Sequence, residues 1–185
     1  MIKLKKWHIL FGMVLIIVWF ICMGTILSNK VSLTMNGFAV DNTGRLYIGK
    51  GYGIEVYEGD TFLRKISPKT SRGYMFTIVD GDTIVVSTAS FVYHMDLDGK
   101  VLAKEEDKGT KVYNELQRNK NSFIDENGLN YTLTRPFGRA QISDGEKVIY
   151  KMPTLDYTVL VTMALCSVAL IWYIIVILRT QKRKT

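Results

Sequence analysis

The sequence has few of the residues that hold small extracellular domains together or bind metals. Only two of its 185 residues are cysteines, Cys22 and Cys166, and both lie in apolar stretches. Residues 28–156 contain no cysteine, so disulfides do not hold this segment together. Their absence favours a bacterial cell surface over a secreted animal protein. His94 is the only histidine of this segment, which excludes a histidine cluster as a metal site.

Acidic residues are missing from both ends of the chain. Residues 1–27 hold three lysines, residues 157–185 hold four basic residues, and these seven account for the whole net charge of +7. The segment between them holds 17 basic and 17 acidic residues and is neutral. This distribution excludes a broadly basic nucleic-acid-binding domain. A hydrophobic content of 48% excludes a disordered chain.

Two long stretches, residues 7–27 and 157–178, contain no acidic residue, lysine or arginine. A helix of this length covers about 30 Å, the thickness of a bilayer core, so both are predicted to be transmembrane helices. A cleaved signal peptide stays an alternative for the first.

Basic residues flank the outer ends of both stretches and predict the topology. Lysine and arginine stay on the cytoplasmic side, so residues 1–6 and 179–185 are predicted to be cytoplasmic and residues 28–156 extracytoplasmic. The residues that determine this topology are Lys3, Lys5, Lys6, Arg179, Lys182, Arg183 and Lys184.

Small residues recur along the second predicted span. Thr158, Thr162, Cys166 and Ala169 follow the spacing of one helix face. Small side chains let another helix approach closely, so this face is a candidate for contact with the first span or with a partner. A chance arrangement explains the spacing equally well.

The extracytoplasmic segment contains three similar sections, residues 37–66, 74–104 and 120–151. In each, a strand ends in an acidic turn, a second strand follows, a third ends in a glycine turn, and a fourth closes the section. The turns are Asp41–Gly44, Asp80–Asp82 and Asp125–Gly128, then Gly59, Gly99 and Gly145. Repeats of about 40–50 residues with four strands each are typical of propeller blades. About 12 short strands are therefore predicted.

Three further features complete this organisation. Residues 105–120 lengthen the spacing between the second and third sections and are predicted to form a polar loop or a short helix. Residues 31–35 are predicted to form an additional strand that covers an edge. Apolar strand residues are predicted to form the core: Phe38, Val40, Leu46, Ile48, Ile54, Val56, Phe76, Ile78, Ile84, Val86, Phe91, Tyr93, Val101, Phe123, Ile124, Tyr131, Leu133, Ile142, Val148 and Tyr150.

These sections resemble blades of the NHL/YWTD type of β-propeller over about residues 37–150. The predicted fold is therefore a membrane protein in which two transmembrane helices flank an all-β, propeller-like antiparallel domain. Propellers typically have 4–8 blades, whereas this chain has room for three. The resemblance implies that a second copy or another protein completes the array, or that the strands form a barrel or a sandwich instead.

Asp96 and Asp98 are weak candidates for a cation site, because oxygen ligands recur at alternate positions before a glycine in calcium loops. A plain turn between strands favours the same residues. Asp80 and Asp82 similarly fit either a pair of carboxylates or a hairpin turn.

Two loops are candidates for a binding rim, since loops on a rigid scaffold often carry function. One contains Lys50 and Tyr52, and the other contains Arg135, Phe137 and Arg139. Ordinary solvated loops are the alternative.

No nucleophile, metal or carboxylate arrangement stands out, so the sequence predicts a non-catalytic protein without a cofactor. We expect a membrane-anchored binding or scaffold module, or an accessory subunit of a membrane complex. Its expected partners are the lipid bilayer and another protein or a second copy, not nucleic acid. A transmembrane sensor acting through a partner, and an extracytoplasmic hydrolase or lyase, are the alternatives.

Overall fold

The structure is a computed structural model that describes residues 6–51, 53–68, 73–145 and 147–182. These residues fall into two compact units. The helical unit contains the chain up to Val31 and from Pro153 onward, and the β unit is Ser32–Met152. The helices and strands are α1 (Lys6–Leu27), β1 (Met35–Val40), β2 (Leu46–Lys50), β3 (Gly53–Glu58), β4 (Thr61–Ile66), β5 (Met75–Val79), β6 (Thr83–Ser87), β7 (Phe91–Asp96), β8 (Val101–Glu106), α2 (Lys111–Asn119), β9 (Ser122–Ile124), β10 (Asn130–Thr134), β11 (Gln141–Ser143), β12 (Val148–Lys151) and α3 (Thr154–Lys182).

In the helical unit, α1 and α3 pack against each other and leave most of their apolar side chains exposed. The Phe11 ring meets the Tyr173 ring edge-on at 6.3 Å between centroids. Buried residues make up only 11% of Leu10–Leu27 and 6% of an apolar 18-residue stretch within Thr154–Arg179. A core helix of a soluble protein would be mostly buried. The exposed apolar side chains of α1 and α3 instead agree with the apolar composition expected of helices that contact lipid. Both helices are long and apolar enough to span a membrane.

The end of α1 shows that the additional strand predicted for residues 31–35 is wrong. Asn29 has a φ of 57°, and the backbone N–H groups of Lys30 and Val31 both donate to the carbonyl of Thr25, at 3.1 and 3.3 Å. These bonds satisfy the helix terminus and bind this part of the chain to α1 instead of to a sheet. Of the predicted strand, only Met35 is in β1.

The β unit contains three four-stranded antiparallel sheets, as the repeats predict. Each sheet is a meander in sequence order: β1–β4 form the first sheet, β5–β8 the second and β9–β12 the third. The first strand of the first sheet, β1, lies beside the first strands of the other two, β5 and β9. In the part of the chain that the structure describes, the sheets do not close into a ring. They are compatible with propeller-like repeats without forming a closed propeller.

The main core lies between the first and second sheets. Alternation produces it: Ile54 and Val56 of β3 are fully buried, whereas Glu55 and Tyr57 are partly exposed. The cluster consists of Ala39, Tyr47, Ile54, Val56, Ile66, Tyr74, Phe76, Ile78, Ile84, Val86 and Met95.

Four of the predicted core residues are exposed, which corrects the sequence-based assignment. Val101 and Val148 are 46% and 43% exposed because they lie in the outermost strands, β8 and β12. Phe91 and Ile124 stand at strand ends, where fewer neighbours cover them, and are 39% and 67% exposed. The ammonium of Lys104 lies 3.8 Å from the centre of the Phe91 ring.

The insertion between the second and third sheets contains a short helix, α2, which packs against β1, β5 and β6. The Asp107 carboxylate caps it by accepting hydrogen bonds from the N–H groups of Val112 and Tyr113, at 3.2 and 3.0 Å. The Ser87 hydroxyl also donates to this carboxylate, at 3.1 Å. Burial raises the pKa of Asp107, but these hydrogen bonds outweigh it and hold the pKa below its usual range.

Candidate functional site

Acidic residues concentrate at one end of the β unit. In a four-stranded meander the first and third turns lie at the same end, and the first turns of the three sheets meet there. We call this end the acid-turn end. The acidic residues in or beside its turns are Asp41, Glu58, Asp60, Asp80, Asp82, Asp96, Asp98, Asp125, Glu126 and Asp144. Arg45, Lys100 and Lys147 are described in or beside these turns, and Arg64 of β4 reaches the same end, where it pairs with Asp98. The acidic residues outnumber these basic residues, so the potential of this end is negative.

Three of these aspartates each begin a turn of the same type. One carboxylate oxygen accepts hydrogen bonds from the N–H groups two and four residues ahead, at 2.8–3.1 Å, in the turns that follow Asp41, Asp96 and Asp125. Such side-chain bonds to the local backbone favour aspartate in turns. The turn geometry therefore accounts for Asp96, and Asp98 forms an ion pair with Arg64 at 2.9 Å.

The second oxygen of two of these carboxylates binds a tyrosine six residues ahead. Tyr47 donates to Asp41 at 3.1 Å, and Tyr131 donates to Asp125 at 3.3 Å. Burial and the neighbouring Asp41 raise the pKa of Tyr47 to about 12. Burial and Asp125 raise the pKa of Tyr131. The first and third sheets therefore share an aspartate–tyrosine pair behind their first turn.

A cleft of about 140 Å³ lies where the three first turns meet. Asp41 and Asn42 line it from the first sheet, and Asp80 and Gly81 line it from the second. The third sheet contributes Phe123, Ile124, Asp125, Glu126 and Asn127. Charged residues from three separate repeats thus surround one concave surface.

Direct contacts hold the turns together around the cleft. The N–H of Asn42 donates to the carbonyl of Gly81 at 3.2 Å. Asp80 and Gly81 have φ values of 52° and 64°, as a tight hairpin turn requires. The Asp80–Asp82 sequence therefore forms a hairpin turn. A Cβ on Gly81 would lie 2.8 Å from Oε1 of Glu126, which shows how closely the second and third turns approach.

The cleft can attract cations, but the side chains do not form a metal site. No group of three or more His, Cys, Asp or Glu side chains is arranged to hold a metal ion within the described residues. Asp80 and Glu126 are exposed, so their charges face solvent. Such a surface suits several cationic groups on one ligand.

The predicted binding rim divides into a buried and an exposed part. Lys50 ends β2 and is only 6% exposed, so it does not lie on an exposed loop. Tyr52 lies outside the described residues. Arg135 is exposed, and Phe137 is 98% exposed in a one-turn 3-10 helix. Arg139 donates from Nε and a terminal guanidinium nitrogen to the carbonyl of Met152, at 3.0 and 2.8 Å.

Lys50 belongs to a buried polar cluster that the sequence analysis missed. Its ammonium lies 3.0 Å from Oε2 of Glu55 and 5.7 Å from the centre of the Tyr150 ring. Tyr57 donates to the same Glu55 oxygen at 2.6 Å. Burial lowers the pKa of Lys50, but Tyr150 and Glu55 outweigh this effect and raise it. Glu55 and Tyr57 are two residues apart on β3, so the sequence alone indicates that they share one strand face. The contribution of Tyr150 has no such local signal, because this residue comes from another sheet.

The four small residues predicted to form one face of the second span differ in exposure, and only some of the basic terminal residues are described. Along α3, Thr158 is exposed, Thr162 and Ala169 are partly buried, and Cys166 is buried. Among the basic tip residues, Lys6 begins α1, Arg179 is exposed on α3, and Lys182 ends α3. The others, Lys3, Lys5, Arg183 and Lys184, lie outside the described residues.

Comparisons with known proteins assign no family to this chain. No protein-family model matches it, and no curated protein matches it. One similar solved structure is the crystal structure of a protein of unknown function from Bacteroides caccae, with 14% sequence identity and a TM-score of 0.30. The match covers 63% of this chain and 44% of that one. The chain therefore spans less than half the length of that protein.

Proposed function

We propose that this protein is a non-catalytic, membrane-anchored binding module. Its acid-turn end binds a partner protein through a cationic segment. The observation that carries this proposal is the meeting of acidic turns from three sheets around one cleft. A surface of one charge recognises and steers the oppositely charged partner, even where individual exposed charge pairs are weak.

The membrane anchor supports the same proposal. α1 and α3 precede and follow the β unit, and both are long and apolar enough to span a membrane. Basic residues at both tips favour cytoplasmic ends. This topology holds the β unit at the extracytoplasmic surface. Labelling of an Asn127→Cys variant with a membrane-impermeant maleimide in intact cells tests it, with a Thr185→Cys variant as the cytoplasmic control.

The meander topology separates the acid-turn end from the points where the chain enters and leaves the β unit. Because β1 enters the β unit and β12 leaves it at the opposite end from the first turns, both connections to the helices lie away from the acidic cleft. The chain's own entry and exit therefore do not cover the proposed binding surface. Crosslinking in the native membrane followed by mass spectrometry identifies the partner protein.

A charge-removal experiment tests the binding surface. The full chain in nanodiscs is titrated with a fluorescent lysine-rich peptide, and the Asp80→Asn/Glu126→Gln variant is compared with wild type. Two lost charge contacts at about 0.5 kcal/mol each predict about fivefold weaker binding, with a shallower salt dependence. The matched control is Glu115→Gln, an exposed acid on α2. Equal affinity of the cleft variant and the control contradicts the proposal.

A further inference from the structure

The loop at residues 135–139 combines two unusual features in one residue. Phe137 is 98% exposed, whereas burial of its ring would be favourable. It also has a φ of 50° and a ψ of 30°, a left-handed conformation that is an outlier for a bulky residue. Strained residues of this kind concentrate at functional sites. The fold thus holds an aromatic ring out into solvent at a conformational cost.

The same loop is fixed beside the exit of the chain from the β unit. Two hydrogen bonds from Arg139 end on the carbonyl of Met152, the last residue of that unit. Only Pro153 separates Met152 from Thr154, where α3 begins. The Cα atoms of Met152 and Thr154 are therefore at most two steps of about 3.8 Å apart. The covalent chain therefore ties the loop to the start of an apolar helix.

Two exposed basic residues lie close along the chain to this loop or to Met152, which holds it. Arg135 is exposed two residues before it, and Lys151, the exposed last residue of β12, precedes Met152. Exposed phenylalanine side chains of peripheral membrane segments bury at the boundary between head groups and acyl chains. Guanidinium groups bind phosphate oxygens with paired hydrogen bonds. This combination is chemically complementary to phospholipid head groups.

We propose that the loop 135–139 is a lipid-contact site. Phe137 inserts its ring among the phospholipid head groups next to the second span, and Arg135 binds their phosphates. This inference rests on the proposed membrane anchoring. It adds a peripheral contact that fixes the β unit against the bilayer, beyond the two helices.

Quenching of single tryptophans by brominated lipids tests the proposal in the full chain. The natural tryptophans, Trp7, Trp19 and Trp172, all lie in α1 and α3. They are replaced by phenylalanine, and Phe137→Trp is introduced as the reporter. Its matched control is Phe62→Trp, at an exposed phenylalanine of β4. A third protein keeps only Trp172, 62% exposed on α3, and reports insertion of the span.

We expect vesicles of phosphatidylcholine and phosphatidylglycerol, brominated near the head groups, to quench the reporter at position 137 and shift its emission to the blue. The reporter at position 62 keeps the emission of a solvated ring. Adding Arg135→Gln lowers the quenching at position 137 several-fold, because one basic group near an anionic surface is lost. Arg135→Lys retains most of the quenching.

The three reporters separate the possible failures. If Trp172 is quenched but position 137 is quenched no more than position 62, the lipid-contact site is wrong and the membrane anchor stands. If neither Trp172 nor position 137 is quenched, both the anchor and the lipid contact are wrong. If position 137 is quenched equally with Arg135→Gln, Arg135 does not bind the phosphates and that part of the proposal is overturned.

Discussion

Removing the charge of Glu55 tests the energetics of the buried ion pair. At 3.0 Å from the Lys50 ammonium, an attraction of about 5.5 kcal/mol follows from Coulomb's law with an effective dielectric constant of about 20. Because Lys50 is 6% exposed, Glu55→Gln leaves a buried charge without its counter-charge. Breaking a buried pair in this way costs about 3–5 kcal/mol, and we expect about 3 kcal/mol because Glu55 is partly exposed.

The reciprocal change is expected to cost much less. Lys50→Met removes the charge together with its desolvation penalty and keeps most of the side-chain volume, so we expect about 1 kcal/mol. Lys50→Met/Glu55→Gln should then be almost as stable as Lys50→Met alone. The double-mutant cycle measures the coupling between the two residues.

Urea unfolding of the full chain in mild detergent provides the assay. Eight of the ten tyrosines lie in residues 32–152 and no tryptophan does, so near-ultraviolet circular dichroism of tyrosine reports the β unit. With a slope of about 1.5 kcal/mol per molar urea, Glu55→Gln lowers the midpoint by about 2 M. The reasoning is refuted if the three variants are additive, or if Lys50→Met destabilises as much as Glu55→Gln.

The pH dependence of the same pair has a definite sign. The pKa of Lys50 is raised in the folded state, so its contribution is complete below the ordinary lysine pKa and is lost as the pH rises through the folded value. The difference in the free energy of unfolding between Glu55→Gln and wild type should therefore stay constant between about pH 6 and pH 9.

Three further predictions concern the β unit. Asp107→Ala removes the cap of α2 and should lower the free energy of unfolding, measured with urea, by about 1–2 kcal/mol. Because the pKa of Asp107 is lowered in the folded state, this loss of stability should shrink as the pH falls below about 4. Tyr47 has a pKa of about 12, so its phenolate absorbance should appear only near that pH, and the stability it contributes below its ordinary pKa should be lost as the pH rises between about 10 and 12. Gly81→Ala should destabilise by more than the roughly 1–2 kcal/mol of a left-handed alanine, because its Cβ would lie 2.9 Å from the Cβ of Asn42, which cannot move without its backbone. The control is Gly128→Ala, a glycine that also has a positive φ but whose Cβ would meet no atom of another part of the chain within 4 Å.

Local patterns in the sequence predicted most of the fold. The aspartate turns that follow Asp41, Asp96 and Asp125 use hydrogen bonds within five residues, so a short stretch of sequence determines them. Alternation likewise placed Ile54 and Val56 in the core. These signals are local and therefore readable without knowing how the sheets pack.

Long-range packing accounts for what the sequence analysis missed. Phe91 and Ile124 carry the expected apolar pattern, yet their exposure depends on which neighbours reach the ends of their strands. The sequence places Lys50 in an exposed loop, but in the structure Tyr150 of the third sheet lies over its ammonium. The acidic cleft requires three turns separated by about 40 residues to meet. None of these arrangements has a signature within one repeat.

The position of β1 beside both β5 and β9 has a consequence for how the protein is made. β1 is made before β5 and β9, and it is the strand that the first strands of both later sheets contact. Each later sheet is a local meander, so its strand pairing needs only strands that are neighbours in the sequence. We therefore expect the second and third sheets each to dock onto a β1 strand that has already been made.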